Sequence, residues 1–127
     1  MSIRDNYLEI LKRKDAAAKR SGRNPEDVML MAVTKKHEPD ELREAIDAGA
    51  TDFGENKVQE LLSKYDEVHP ERWHLIGHLQ TNKVRQIIDK VTMIHSVDSL
   101  KLAREINKRA SAAGIVMDVL IEINLAE

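Results

Sequence analysis

The sequence has no cysteine and no long apolar run, and each absence excludes a class of protein. Without cysteine there can be no disulfide, no thiolate zinc site and no cysteine nucleophile. The first fourteen residues carry charges from Arg4 and Asp5 onward and lack the apolar core of a signal peptide. No stretch approaches the roughly 20 apolar residues of a membrane span. We therefore expect a cytoplasmic protein with no membrane partner.

An excess of charge of one sign is also missing. The 127 residues contain 20 Lys and Arg and 22 Asp and Glu, which gives a net charge of −2. This balance does not favour a nucleic acid or an anionic membrane as partner. Among the five histidines, His74 and His78 have HxxxH spacing, but they fall in a predicted strand and the loop after it rather than on one helix. There is no HExxH motif, so we expect no bound metal.

Apolar periodicity predicts an opening helix, from Ile3 to about Ser21, and then alternating strands and helices. The predicted strands are Val28–Thr34, Thr51–Phe53, Trp73–Ile76, Thr92–Ser96 and Met117–Asn124. The later helices are predicted to begin at Pro39 and after the caps Asn56, Asn82 and Asp98. Strands that are apolar on both faces indicate a parallel sheet covered by helices, either doubly wound or a (β/α)8 barrel. No GxGxxG or GxxxxGK[ST] follows a strand, so nothing favours a nucleotide-binding fold.

The fifth predicted strand lies next to the last residue, Glu127, and no helix follows it. A closed barrel needs eight strands and usually around 250 residues. We therefore expect residues 1–127 to form a single domain that is the first half of a (β/α)8 barrel. Such a unit is either a piece of a larger domain or a half-barrel that hides its open edges in a homodimer.

The carboxyl ends of parallel strands are the usual place for function, and the first of them carries Lys35 and Lys36. A lysine at the end of a buried strand is poorly hydrated, which favours its neutral amine. A neutral amine can attack an aldehyde to form a Schiff base, as pyridoxal phosphate chemistry requires. The alternative is that both lysines begin a solvated loop. Strand alternation does not decide which lysine points inward, because both faces of the strand are apolar.

Two further residues are candidates for the site, one at the opening of the third strand and one after the second. His74, in the third strand, is a base, a cofactor contact or a hydrogen-bonded core residue. Asn56, after the second strand, is a helix cap or a cofactor contact.

Four spaced blocks of sequence carry a family resemblance. They are MAVTK at Met31–Lys35, FGEN at Phe53–Asn56, WHLIGHLQTNK at Trp73–Lys83 and IHSVDS at Ile94–Ser99. In this order they resemble the pyridoxal-phosphate homeostasis family, also called the YggS or proline-synthetase-co-transcribed family. The resemblance covers essentially the whole chain.

The resemblance implies a partial TIM-type (β/α) barrel of the alanine racemase N-terminal kind, with about five parallel strands and an extra N-terminal helix. It implies pyridoxal 5′-phosphate as cofactor, held as a Schiff base on Lys35 rather than Lys36, with Asn56 and His74 nearby. It also implies a protein that takes part in vitamin B6 homeostasis without being an enzyme. The family's phosphate-binding residues belong to the later half of the barrel, so we expect this chain alone to bind the cofactor weakly.

Three alternatives remain open at this stage. The first is a truncated half-barrel with little or no cofactor binding. The second is a racemase-like enzyme that uses pyridoxal phosphate; it is disfavoured because its second acid/base is commonly a tyrosine, and Tyr7 and Tyr65 are both predicted on helices. The third is a phosphosugar-processing barrel, in which no aldehyde adduct would form at Lys35.

Overall fold

Five parallel strands form one sheet, and they lie side by side in the order in which they occur along the chain. The computed structural model describes residues 2–125. The strands are β1 (Met31–Val33), β2 (Asp52–Glu55), β3 (Arg72–Leu75), β4 (Met93–Val97) and β5 (Asp118–Ile121). A doubly wound sheet reverses its strand order at a switch point, whereas consecutive strands of a barrel are neighbours. The fold is therefore a partial (β/α) barrel, as the sequence predicts.

Helices connect the strands and cover one face of the sheet. They are α1 (Ile3–Arg20), α2 (Pro39–Asp47), α3 (Val58–Tyr65), α4 (Val84–Ile87) and α5 (Leu100–Ala113), with 3₁₀ turns at Pro25–Asp27 and Thr81–Lys83. The extra N-terminal helix, α1, begins after Ser2, whose hydroxyl accepts a hydrogen bond from the backbone of Asp5. It lies against α2, where the Arg4 amide donates to Glu44 over 3.3 Å.

The three predicted helix caps are wrong. Helix α3 begins after Lys57 rather than Asn56, because the chain bends at Asn56 and Lys57 is still extended, with φ of −119°. Asn82 lies inside a 3₁₀ turn. Helix α5 begins one residue later than predicted, because the hydroxyl of Ser99, rather than Asp98, accepts the Leu102 amide.

The core lies between the sheet and the helices, on what we call the outer face. Phe53, Leu75 and Ile94 point to this face from β2, β3 and β4, and all three are fully buried. Side chains alternate along a strand, so those between them point to the opposite, inner face. There Val33 is 47% exposed. The expectation that the strands are buried on both faces is wrong for β1, since no element within residues 2–125 covers its inner face.

Strand β5 is exposed along its whole length. Ile121 is 74% exposed, although the strand was predicted from its nearly continuous apolar character. Residues 126–127, on which the predicted end of the domain depends, lie outside the described residues. Within the described part, we find no helix that is both long and apolar enough to cross a bilayer.

Candidate functional site

Lys35 and Lys36 lie in a turn that directly follows β1. The turn is closed by a hydrogen bond from the His37 amide to the Thr34 carbonyl, 3.2 Å long. Lys36 has φ of 66°, a left-handed conformation that costs a residue other than glycine about 1–2 kcal/mol. The side chain of Lys35 is exposed to solvent. The expectation that Lys35 is poorly hydrated is therefore wrong, because the turn extends past the edge of the sheet.

A charged cluster lies behind this turn on the outer face, and we call it the Lys64 cluster. Its members are Lys64, Glu55, Glu60 and Thr34. The Lys64 ammonium donates to the Thr34 carbonyl (2.7 Å), to Glu55 (2.7 Å) and to Glu60 (2.8 Å), which uses all three of its protons. Lys64 is only 5% exposed and Glu55 is fully buried. The cluster thus ties α3 to the ends of β1 and β2.

Two further hydrogen bonds connect the turn to this cluster. The hydroxyl of Thr34 donates to Glu55 over 2.6 Å, and the backbone amide of Lys36 donates to Glu60 over 2.5 Å. Burial alone would lower the pKa of Lys64, but the hydrogen bonds with Glu55 and Glu60 outweigh it and raise that pKa. Hydrogen bonds from Lys64 and from the Lys36 backbone lower the pKa of Glu60. Lys64 and Glu60 therefore both keep their charge.

Asn56 directly follows β2, just as the turn with Lys35 follows β1, so both residues lie beyond the carboxyl ends of neighbouring strands. The parallel register pairs Val33 with Gly54, and the Thr34 amide donates to the Gly54 carbonyl over 3.0 Å, so the two strands end at the same edge of the sheet. The backbone of Asn56 is in close contact with Gly77, where an added Cβ would lie 2.2 Å from the Asn56 carbonyl oxygen. Glycine at 77 is therefore what permits the chain to hold Asn56 at this position.

A second polar network lies on the inner face toward the amino ends of the strands, and we call it the Asp52 network. Arg72 donates two hydrogen bonds of 2.8 Å to Asp52, and Thr51 donates a third of 2.7 Å. Asp52 also hydrogen-bonds Nε2 of His74 (2.7 Å), and Nδ1 of His74 hydrogen-bonds Nε2 of His95 (2.9 Å).

The electrostatics of the Asp52 network favour an ionised Asp52 carboxylate and a neutral His95 ring. Burial would raise the pKa of Asp52, but hydrogen bonds from Arg72, Thr51 and His74 hold it at about 2. Burial, together with the neighbouring His74, lowers the pKa of His95.

His74 is thus a buried residue with both ring nitrogens already hydrogen-bonded to protein. It is level with Gly54, which is itself paired with Val33, so His74 lies within the sheet and not at the edge where Lys35 lies. Of the readings considered for His74, the geometry favours the hydrogen-bonded core residue. A cofactor contact through His74 stays a prediction.

Lys64 and Asp52 were not singled out from the sequence. A signal for Lys64 exists, because it lies three residues after the buried Leu61 and four before the buried Val68, on the apolar stripe of α3. Asp52 is a charged residue at the start of a buried strand. Across residues 2–125 there is no group of three or more His, Asp or Glu side chains arranged to hold a metal ion.

The chain belongs to the family described as "Alanine racemase, N-terminal domain", which it matches over residues 9–126. Within that class it is similar to the pyridoxal phosphate homeostasis protein of Aquifex aeolicus, with 42% identity over 98% of this chain. The resemblance identified from the four sequence blocks is thereby confirmed. The chain spans 56% of the length of the Aquifex protein.

Solved structures agree with this assignment. A protein of unknown function from Bifidobacterium adolescentis matches 98% of this chain and 57% of its own, with TM-score 0.85 and 34% identity. PipY of Synechococcus elongatus, solved with PLP bound, matches 88% of this chain and 54% of its own, with TM-score 0.75 and 36% identity. The fold is therefore a partial barrel of the alanine racemase kind.

Proposed function

We propose that this chain holds pyridoxal 5′-phosphate on Lys35 and acts in vitamin B6 homeostasis without catalysing a reaction. The observation that carries the proposal is the position of Lys35: an exposed primary amine on a turn fixed at the carboxyl end of β1. The PLP-bound structure of PipY and the name of the Aquifex relative support the choice of cofactor.

The residues at this edge fit the aldehyde end of the cofactor. The Lys35 side chain is exposed in the turn after Thr34, so an aldehyde can reach its amine from solvent. A neutral Lys35 amine can form a carbon–nitrogen double bond with an aldehyde carbon, with loss of one water. The carboxamide of Asn56, which follows the neighbouring strand, would supply a donor and an acceptor at the same edge of the sheet. His74, which lies within the sheet toward the amino ends of the strands, would be a further contact to the cofactor.

The positions of the two tyrosines support a role without catalysis. Tyr65 is on α3, where its ring lies 5.5 Å below the Lys90 ammonium. Tyr7 is on α1 and lines a cleft with Asp52 at the amino ends of the strands. Neither is placed as an acid/base opposite Lys35, which a racemase-like reaction needs. We expect no exchange of the α-proton of alanine with deuterium when the chain and cofactor are incubated together; exchange above that of free cofactor would contradict this.

The experiment that tests the proposal is reductive trapping at Lys35. We would add pyridoxal phosphate, record the absorbance spectrum, reduce with borohydride and map the labelled peptide. Lys36→Ala is the matched control, because Lys36 is an exposed lysine in the same turn. We expect the label on Lys35, retained in Lys36→Ala and lost in Lys35→Ala. Label that persists in Lys35→Ala, or that spreads evenly over the exposed lysines, would refute the assignment.

We also propose that the chain alone binds the cofactor more weakly than a longer relative does. Phosphate sites in TIM barrels typically lie after strands seven and eight, and this chain spans 54% of the length of PipY. Each missing charge-assisted hydrogen bond is worth about 1.5–3 kcal/mol. If borohydride labels Lys35 stoichiometrically at micromolar cofactor, the chain does not bind weakly and this proposal is wrong.

The exposed inner side of β1, together with β5, supports a homodimer of residues 1–127, the single domain that we propose as the first half of a barrel. Ile121 projects from β5, 74% exposed, and its strand has an open edge. We expect sedimentation to give a dimer that Ile121→Lys dissociates. Leu100→Lys, at an exposed apolar residue of α5, is the control and should leave the dimer intact. A wild-type monomer at all concentrations would exclude this assembly.

The location that we propose for this role is the cytoplasm. The absence of cysteine supports it, since disulfide-bonded domains are typical of oxidising compartments. Cell fractionation with a tagged chain tests it, and recovery outside the cytoplasmic fraction would contradict it.

A further inference from the structure

The backbone on both sides of Lys35 is held by the Lys64 cluster. Two peptide groups flank the Cα of Lys35, one with the Thr34 carbonyl and one with the Lys36 amide. The first accepts a hydrogen bond from the Lys64 ammonium (2.7 Å), and the second donates one to the Glu60 carboxylate (2.5 Å). With both peptide planes fixed, the direction of the Cα–Cβ bond of Lys35 is fixed as well.

The two holding groups are themselves tied together. Lys64 and Glu60 are one helical turn apart on α3 and form an ion pair of 2.8 Å. The third proton of Lys64 goes to Glu55, which is fully buried, so Lys64 cannot move without leaving a buried charge unpaired. Lys36 is in the left-handed region, a strained conformation that persists only where neighbouring groups stabilise it.

We propose that Lys64 and Glu60 are positioning residues for Lys35. By clamping both flanking peptide groups, they set the direction in which the Lys35 side chain leaves the turn, and hence how readily its amine meets an aldehyde carbon. This inference rests on the proposed function of Lys35. In the step concerned, the neutral amine nitrogen of Lys35 adds to the aldehyde carbon, water leaves and a carbon–nitrogen double bond forms. Holding a nucleophile in a productive orientation accelerates such an attack.

The variant that tests the clamp with least risk to folding is Glu60→Ala. The side chain of Glu60 is 25% exposed and accepts from a basic residue four positions later. Glu105 on α5 is a close match: its side chain is 23% exposed and pairs with Arg109, again four positions later. Glu105→Ala is therefore the control for losing a helical ion pair, and Glu60→Gln restores an acceptor oxygen without the charge.

Two quantities are measured in each variant. The first is the hydrogen-exchange rate of the Lys36 amide without cofactor, and the second is the rate of borohydride-trapped adduct formation at Lys35. Loss of the charge-assisted hydrogen bond should raise the exchange rate about tenfold in Glu60→Ala. The adduct should form about tenfold more slowly, since the amine is no longer oriented. Glu60→Gln should recover most of both rates, and Glu105→Ala should leave both unchanged.

The outcomes separate this inference from the proposed function. If Glu60→Ala behaves like Glu105→Ala in either measurement while wild type still forms the adduct at Lys35, the clamp is not a positioning device and the function stands. If wild type forms no adduct at Lys35, the proposed function fails and the positioning role fails with it. In that case the amide exchange still reports whether Glu60 holds the turn.

Discussion

The two charged networks of this molecule lie at opposite ends of one sheet and on opposite faces. The Lys64 cluster is at the carboxyl end of the strands, enclosed between the sheet and α3, with Lys64 5% exposed. The Asp52 network is at the amino end on the inner face, and its cation is far more open: the side chain of Arg72 is 40% exposed. Each network joins neighbouring strands through a fully buried carboxylate, of Glu55 in one and Asp52 in the other.

The difference shows that the surroundings of an ion pair set its importance more than its geometry does. Around Lys64, water is excluded, so removing the cation leaves the Glu55 carboxylate buried without a counter-ion. Asp52 would keep its hydrogen bonds with Thr51 and His74, and water can reach the space that Arg72 occupies. The two ion pairs have similar lengths but should therefore contribute unequally to the free energy of unfolding.

The largest expected effect comes from removing each cation in turn. Lys64→Met should lower the free energy of unfolding by about 3–5 kcal/mol, because a buried carboxylate loses its partner. Arg72→Met should lower it by about 1–2 kcal/mol, because solvent replaces part of the lost interaction. Urea denaturation measures both values.

Lys12→Met serves as the control for these two variants, since Lys12 is exposed on α1 and should change stability by no more than about 0.5 kcal/mol. Equal losses of unfolding free energy in Lys64→Met and Arg72→Met would contradict the expected difference between the two networks.

The next largest expected effect is a loss of folding stability in acid, caused by protonation of Asp52. Its pKa is about 2 in the folded chain and 3.8 in the reference state. A lowered carboxyl pKa stabilises the fold above the unfolded value, and this stabilisation is lost as the pH falls through the folded value. Between about pH 5 and pH 2 the contribution of Asp52 should fall by about 2 kcal/mol. Unfolding free energies for wild type and Asp52→Asn at several pH values should converge over this range; a constant difference would contradict the assignment.

The smallest expected effect is a change of stability near neutral pH, caused by His95 of the Asp52 network. Burial and His74 lower the pKa of His95 below 6.5, so the folded state favours the neutral ring. Its contribution to stability should therefore decline as the pH falls through 6.5 toward the lowered value. His95→Gln should flatten the stability profile between pH 7 and pH 5, whereas His69→Gln, at an exposed histidine, should not. An unchanged slope in His95→Gln would show that protonation of His95 does not cause this pH dependence of stability.

The order of elements could be predicted from the sequence, because apolar periodicity reflects burial against the helices. The strand at Arg72–Leu75 and the helix end near Gly114, where φ is 71°, illustrate this agreement. Whether the sheet was doubly wound or barrel-like required the observed strand order, since both folds share the same alternation.

The candidate site was harder to predict because its geometry depends on contacts distant in sequence. The Lys36 amide meets Glu60, and Lys64 reaches back to Thr34, across separations that no local pattern encodes. The predicted cap at Asn56 is wrong for the same reason: the chain bends there and its backbone lies against Gly77, which is distant in sequence. Lys35 is exposed because β1 ends at Val33. Apolar character alone predicts a later end for this strand, at Thr34.

The strand order has a consequence for how the chain folds during synthesis. Met31 pairs with Asp52 and Asp52 with Arg72, so each strand finds its partner one helix further along the chain. Contacts between segments that are close in sequence favour rapid folding. Each βα unit can therefore dock on the edge presented by the unit before it as it leaves the ribosome. The sheet would grow in one direction, with its first strand already held by α3 before the last strand is made.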